Sequence, residues 1–373
     1  MRIVSLVDNV GAVSGEGCGC EPEHGVSLYI ETGNGLKVLF DTGQSDLFAR
    51  NAARLGIDLR EIDLAVISHG HYDHGGGLNE FLRINTKAPV YIRETALGEH
   101  YSIRPLGITG IGLKINDLSR LIFTKDIETV PGGITLFTTP AYPAYPGSPA
   151  TPAPADSPYP QVHFRNQDDG HQSDAAKEYS PFPGPAGTFR EHCPFPEPFG
   201  NRLLLGADRC PDDFRHEQSM IIRDGSSTVL FGGCAHRGIV NILAQAQALT
   251  SGAITHVLSG FHLSKTVAQI NINAGQSSNA AGQLCKTIEQ PSDAAGQLCK
   301  TIEQPSDAAG QFSRTVGHPE PDGYLSALAQ ALSSFSGIEY YTMHCTGEPA
   351  FTRLAAFLSP RLHYLPCGST IIL

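Results

Sequence analysis

Tryptophan is absent from the 373 residues, and that absence by itself excludes nothing. Other shortages are more informative. No apolar run reaches about 18 residues, the length a helix needs to cross a bilayer, so no spanning helix is expected. Basic residues are scarce: 26 Lys and Arg stand against 37 Asp and Glu, for a formal net charge of -11. Such a balance argues against unselective binding of nucleic acid or of an anionic membrane. A nuclease would want a basic groove, which this composition does not suggest. Room remains for a local basic pocket around an anionic substrate. A secretory leader is not expected in Met1-Arg2-Ile3-Val4-Ser5-Leu6-Val7-Asp8, which turns polar too soon and reads as a first strand. The expected location is therefore the cytoplasm. The nine cysteines form no disulfide framework: their number is odd and the chain is long. Cys18-Gly19-Cys20 has no second pair at zinc-finger spacing.

What is present is a core and one unusual loop. Hydrophobic residues make up 40% of the chain, enough to exclude global disorder. The loop is Ser68-His69-Gly70-His71-Tyr72-Asp73-His74-Gly75-Gly76-Gly77, with three histidines and an aspartate within six residues. The preceding Ile62, Leu64, Ala65, Val66 and Ile67 read as a buried strand. A rigid strand thus delivers four donors into a glycine-rich turn. Imidazole and carboxylate are ligands that zinc, iron and manganese accept. His69 and His71, two apart, can point the same way from an extended chain. Asp73 and His74 then turn away and can serve a second ion.

The rest of the chain reads as alternating strands and helices. Val26 to Ile30 and Leu36 to Phe40 form a hairpin around Gly33-Asn34-Gly35. Helices are expected over Asp46 to Leu55, from Leu78 to Ile84, after Gly238, over Tyr324 to Leu332 and over Phe351 to Leu358. Between Pro140 and Pro198 fall 14 of the 26 prolines, so residues 139–200 read as an insertion or lid. His163, His171 and His192 within it read as solvated. Residues 278–312 repeat with a period of 14: Ser292-Asp293-Ala294-Ala295-Gly296-Gln297-Leu298-Cys299 copies the segment before it, and a third copy breaks off at Phe312. Each copy carries Pro and Gly, which excludes one continuous helix. The near-identity reads as a tandem duplication in a loop.

Three further histidines, His236, His262 and His344, each follow an apolar strand. Loops at one edge of a sandwich converge, so these are the expected second half of a metal site.

His69-x-His71-x-Asp73-His74, with Phe40-Asp41-Thr42-Gly43 before it, resembles the first metal motif of the metallo-β-lactamase superfamily. The resemblance implies an α/β fold: a four-layer αβ/βα sandwich, one domain over residues 1–373 carrying the proline-rich insertion and the repeat loop. Glu217-Gln218, Gly233-Cys234-Ala235-His236-Arg237-Gly238, Gly260-Phe261-His262-Leu263 and His344-Cys345-Thr346-Gly347 are similar to one branch of it. That branch comprises metal-dependent hydrolases and 7,8-dihydropterin-6-yl-methyl-4-(β-D-ribofuranosyl)aminobenzene 5′-phosphate synthase-like proteins. His24-Gly25-x-Ser27 also fits it, whereas Ser259 stands where the branch usually has Gly.

By that resemblance His69, His71 and His236 bind a first divalent metal, and Asp73, His74 and His262 a second. Zinc is the expected metal, with iron or manganese as alternatives. His344 is either a ligand in place of His262 or a hydrogen-bond donor to substrate, and Asp73 and His344 are the expected catalytic pair. Asp41, Glu217 and Cys234 are expected to support the ligands; Cys234 is either a thiolate ligand or a buried structural residue. Asp213 is expected near the site. The implied function is hydrolysis or group transfer on a small, phosphorylated substrate. The alternative is a non-catalytic metal-binding or di-iron redox protein on the same scaffold, a reading weakened by the lack of a flavodoxin-like phosphate loop.

Overall fold

A computed structural model describes residues 1–12, 19–104, 106–140, 195, 197–264 and 321–373. All of these fall in one compact unit. A second grouping, residues 142–192 and 290–318, lies outside the described residues, as do the repeat over 278–312 and most of the proline-rich stretch over 139–200.

Two mixed seven-stranded sheets form the centre. The first runs, in spatial order, Thr370–Ile372, Arg2–Val7, Ser27–Glu31, Lys37–Phe40, Leu64–Val66, Val90–Ile92 and Leu121–Phe123. The second runs Leu362–Tyr364, Glu339–Thr342, His256–Ser259, Ser227–Phe231, Ser219–Asp224, Ile134–Phe137 and Ile127–Val130. Period-two alternation decides what each strand buries. Ile3, Leu28, Ile30, Val38, Phe40 and Val66 meet Met220, Ile222, Val229, Phe231 and Leu258 between the sheets. Their alternate neighbours Val4, Tyr29, Leu39 and Ala65 face outward onto Phe48, Ala52, Leu78 and Phe81, residues of the helices Leu47–Arg54 and Leu78–Ile84. Behind the second sheet, Ile221, Leu230, Val257 and Tyr340 pack on Leu243, Leu328 and Leu354 of the helices Ile239–Thr250, Pro321–Ser334 and Glu348–Leu358. The result is helix, sheet, sheet, helix. Phe40 and Phe231 bridge the inner layer with ring centroids 6.1 Å apart; truncating either would cost about 3–5 kcal/mol.

Within each sheet, four strands run parallel: Lys37–Phe40 through Leu121–Phe123 in one, Ser227–Phe231 through Leu362–Tyr364 in the other. Their carboxyl ends carry Asp41, Ser68 to His74, Cys234 to His236, His262 and His344. Open sheets present ligand sites at such ends because the connecting loops gather there.

The sequence shows little of the stretch from 93 to 139. The hairpin Tyr101–Arg104 with Gly107–Gly110 has no buried face, so nothing in it imposes apolar alternation. The expected ligand loop also contains a single helical turn, Tyr72–Gly75, with His71 at its N-terminal boundary.

Candidate metal centre

Asp41 organises the loop of the first sheet. Its backbone sits at φ 59°, a left-handed conformation costly for a non-glycine residue. This turns a fully buried carboxylate onto the loop: Oδ1 accepts the Ser68 amide at 2.7 Å and Oδ2 accepts Ser68 Oγ at 2.7 Å. Oδ2 also lies 2.7 Å from His74 Nδ1. Because Ser68 Oγ donates to Asp41, it can accept from His69 Nδ1 at 2.8 Å. His69 therefore carries its proton on Nδ1, leaving the Nε2 lone pair facing inward.

The second sheet reaches the same state through asparagines. Asn201 Nδ2 donates to the His236 carbonyl at 2.7 Å, so its Oδ1 is the atom 3.1 Å from His236 Nδ1 and accepts that proton. Asn9 brackets His344 in the same way: Nδ2 donates to its carbonyl at 3.4 Å, and Oδ1 accepts from Nδ1 at 2.8 Å. Glu217 Oε1 and Oε2 hold the amides of His236 and Arg237 at 2.7 and 2.9 Å. Burial raises the Glu217 carboxyl to about 7. Sequence reasoning missed Asn9 and Asn201; Asn201 lies next to the proline-rich stretch, and neither stands in a recognisable motif.

These braces leave bare nitrogens buried at the shared edge of the sheets. Nε2 of His69, His71 and His236 and Nδ1 of His262 are buried without a hydrogen-bond partner. Burial holds the pKa of His69, His71 and His236 well below the ordinary histidine value, and mutual repulsion adds to it. Neutral imidazoles with unpartnered lone pairs are what a divalent cation needs. Donor atoms of His69, His71 and His236 lie within 4.8 Å of one another, as do those of His69, His74 and Cys234 and those of Cys234, His236 and His262.

Asp73 Oδ2 lies 3.2 Å from His344 Nε2 and 3.2 Å from His24 Nε2, while His262 packs against His236 with ring centroids 4.3 Å apart. Burial opposes the charge on Asp73, but bonds to His24 and His344 outweigh it and hold the carboxyl well below its usual range. Five of the seven non-glycine residues with positive φ among the described residues line this region: Asp41, Phe214, Ala235, His262 and His344. Phe214 stacks on His236 at 4.6 Å and 4°. Backbone strain concentrated at one place is a mark of functional sites.

Asp213 points outward to Arg215, and the inward position belongs to Asp212. Asp212 Oδ2 lies 3.1 Å from His100 Nδ1 and 3.2 Å from His216 Nε2. His216 Nδ1 accepts the amide of Gly70 at 3.0 Å, so its proton is on Nε2 and goes to Asp212. Although His71, His100, Asp212 and His216 cluster within 4.8 Å, this wiring makes His216 and Asp212 a brace for Gly70, between His69 and His71.

Two facing sheets flanked by helices, with a histidine cage at their shared edge, give the chain a metallo-β-lactamase fold. The model of the metallo-beta-lactamase superfamily matches residues 20–174. A solved structure of a metal-dependent hydrolase of the beta-lactamase superfamily shares the fold with a TM-score of 0.59 at 24% identity, covering 100% of this chain and 99% of that one. An uncharacterized protein of Methanocaldococcus jannaschii is 25% identical over 65% of this chain and 73% of its own length. The 7,8-dihydropterin-6-methyl-4-(beta-D-ribofuranosyl)-aminobenzene-5'-phosphate synthase of the same organism is 31% identical over 31% of this chain, and the match spans 43% of that relative. No helix among the described residues is long and apolar enough to cross a membrane.

Proposed function

We propose that this protein is a metal-dependent hydrolase or transferase acting on a small phosphorylated substrate, with zinc as its metal. One observation carries the reading: buried, neutral histidines present unpartnered nitrogens to a common centre. His69, His71 and His236 would hold one ion. Asp73 and His74 would contribute to a second, and the 3.2 Å approach of His344 to Asp73 favours His344 over His262 as their partner. A divalent ion there supplies Lewis acidity and makes a nearby water more acidic. Asp73, held as a carboxylate between His24 and His344, would supply a negatively charged oxygen to the centre and could hold a proton there. Asn9 fixes the ring of His344, so that its Nε2 faces the centre beside Asp73. Phe214 and the His236 brace exclude bulk water from that side.

The dihydropterin synthase of Methanocaldococcus jannaschii suggests one substrate class, a phosphorylated pterin with an aromatic amine as acceptor. Elemental analysis of the purified protein, followed by turnover assays on phosphodiesters, lactones, thioesters and pterin phosphates, tests the reading. Metal-dependent turnover of at least one class is expected. A folded protein without metal overturns the proposal. Failure on pterin phosphates alone removes only the synthase-like reaction.

A further inference from the structure

We propose that Cys234 and Cys345 form a reversible redox pair, which a peroxide closes into a disulfide over the end of the strand His256–Ser259, loosening the metal centre. Both are free thiols, 3% and 6% exposed, and 111 residues apart in the chain. Cys234 follows the strand Ser227–Phe231 and Cys345 follows Glu339–Thr342. The strand His256–Ser259 lies between those two in the sheet. Side chains from strands that are not neighbours meet only where the strand between them gives way. Here that strand ends at Gly260, where an added side chain would collide with Cys345 Sγ. Across this gap the two sulfurs lie within 4.8 Å of each other, and Cys345 Sγ stands 3.6 Å from the Cys234 carbonyl oxygen.

The three strand ends are already fastened to one another. The Gly260 amide donates to the Gly233 carbonyl at 2.8 Å, the Leu263 amide to the Cys345 carbonyl at 2.9 Å, and the Phe261 amide to Thr346 Oγ1 at 2.8 Å. Cys345 is the sulfur that reacts first: it accepts the His262 amide at 3.2 Å, a bond that strengthens when the sulfur is a thiolate. That thiolate attacks a peroxide oxygen, the O–O bond breaks, and a sulfenic acid forms as the first water leaves. The Cys234 sulfur then attacks the sulfenic sulfur. The S–S bond forms, the S–O bond breaks, and the Cys234 proton departs with the hydroxyl as a second water. The two thiols lose two electrons in all, and the peroxide takes them; a dithiol returns them by exchange. A side chain on Gly233 would collide with Ser68 Oγ, so the segment carrying Cys234 is pinned against the first loop. Closing the sulfurs to about 2.05 Å therefore draws the His344 turn toward Cys234. That shifts His344 Nε2 from its place 3.2 Å from Asp73. This loss of fit rests on the metal-centre reading above, whereas the bond itself does not.

Hydrogen peroxide treatment of the reduced, metal-free full chain tests this. After denaturation and blocking of the remaining thiols with N-ethylmaleimide, mass spectrometry of the unreduced digest should find the Cys234 peptide joined to the Cys345 peptide. Dithiothreitol should remove the link. The oxidised chain should bind zinc about 10–100-fold more weakly and regain its affinity on reduction. Cys345→Ser should lose both the link and the peroxide sensitivity of zinc binding. The mapping on the wild type stands whether or not that variant folds. Recovery of Cys234 and Cys345 as blocked thiols, as sulfinic acids or in links to other cysteines overturns the inference and leaves the metal centre standing, as does a link that leaves zinc affinity unchanged. A link formed in a chain that binds no zinc when reduced keeps the redox pair and removes the metal centre.

Discussion

The two sheets furnish the cage by different means. On the first, His69, His71, Asp73 and His74 arrive from one loop, and the Asp41 carboxylate holds that loop through Ser68 and His74. On the second, Cys234, His236, His262 and His344 come from three separate strand ends. There two of the histidines have braces of their own: Asn201 and Glu217 for His236, Asn9 for His344. A contiguous loop can be fixed by one buried charge with several bonds. Dispersed ligands need one partner each, and neutral amides suffice when they only have to set a tautomer.

The sharpest break of this comparison is to remove one ligand from each side. His71→Ala and His236→Ala should each lower metal affinity by more than about 100-fold, beyond the 10–100-fold typical of supporting partners. Metal content and turnover report it, and full retention of metal by His236→Ala would separate the second sheet from the cage. Asp41→Ala leaves buried donors on Ser68 and His74 unanswered, so it should cost about 3–5 kcal/mol of stability, read from denaturant unfolding. Asn201→Ala and Asn9→Ala should instead weaken metal binding by about 10–100-fold, with smaller losses of stability, measured by competition against a chelator. Gly233→Ala forces the first loop and the second apart and should cost about 1–3 kcal/mol, again by unfolding. The smallest effect belongs to His24→Ala. Its side chain is 52% exposed and Asp73 retains His344, so turnover should change less than about fivefold.

How much was legible follows from where the forces act. The helix Leu78–Ile84 and the strand Val90–Ile92 have the bounds that apolar residues indicate, because the helix buries one face and the strand both. The hairpin Tyr101–Arg104 with Gly107–Gly110 left no pattern because neither strand buries a face. His100, Asp212 and His216 are single polar residues far apart in the chain; each looks like an ordinary surface residue until folding places His100 and His216 on one carboxylate oxygen. Asp213 and Asp212 are adjacent and chemically identical. Asp212 is the one that turns inward, accepting the Phe214 amide at 2.8 Å, and no side-chain pattern encodes that.

Local chemistry alone determined that this chain carries a donor loop: His69-x-His71-x-Asp73-His74 needs only a strand before it and glycine after it to present four ligands. The four-layer sandwich was legible only through the resemblance, because strands such as Lys37–Phe40 and Ser227–Phe231 carry continuous apolar runs buried on both faces. Tertiary structure decided the rest of the centre. It paired Asp73 with His344 and set His262 beside His236. It also locked the imidazole protons outward onto Ser68, Asn9 and Asn201. The physical reason is that tautomer, desolvation and donor spacing are properties of neighbours brought together by packing, and those neighbours lie up to 335 residues apart along the chain.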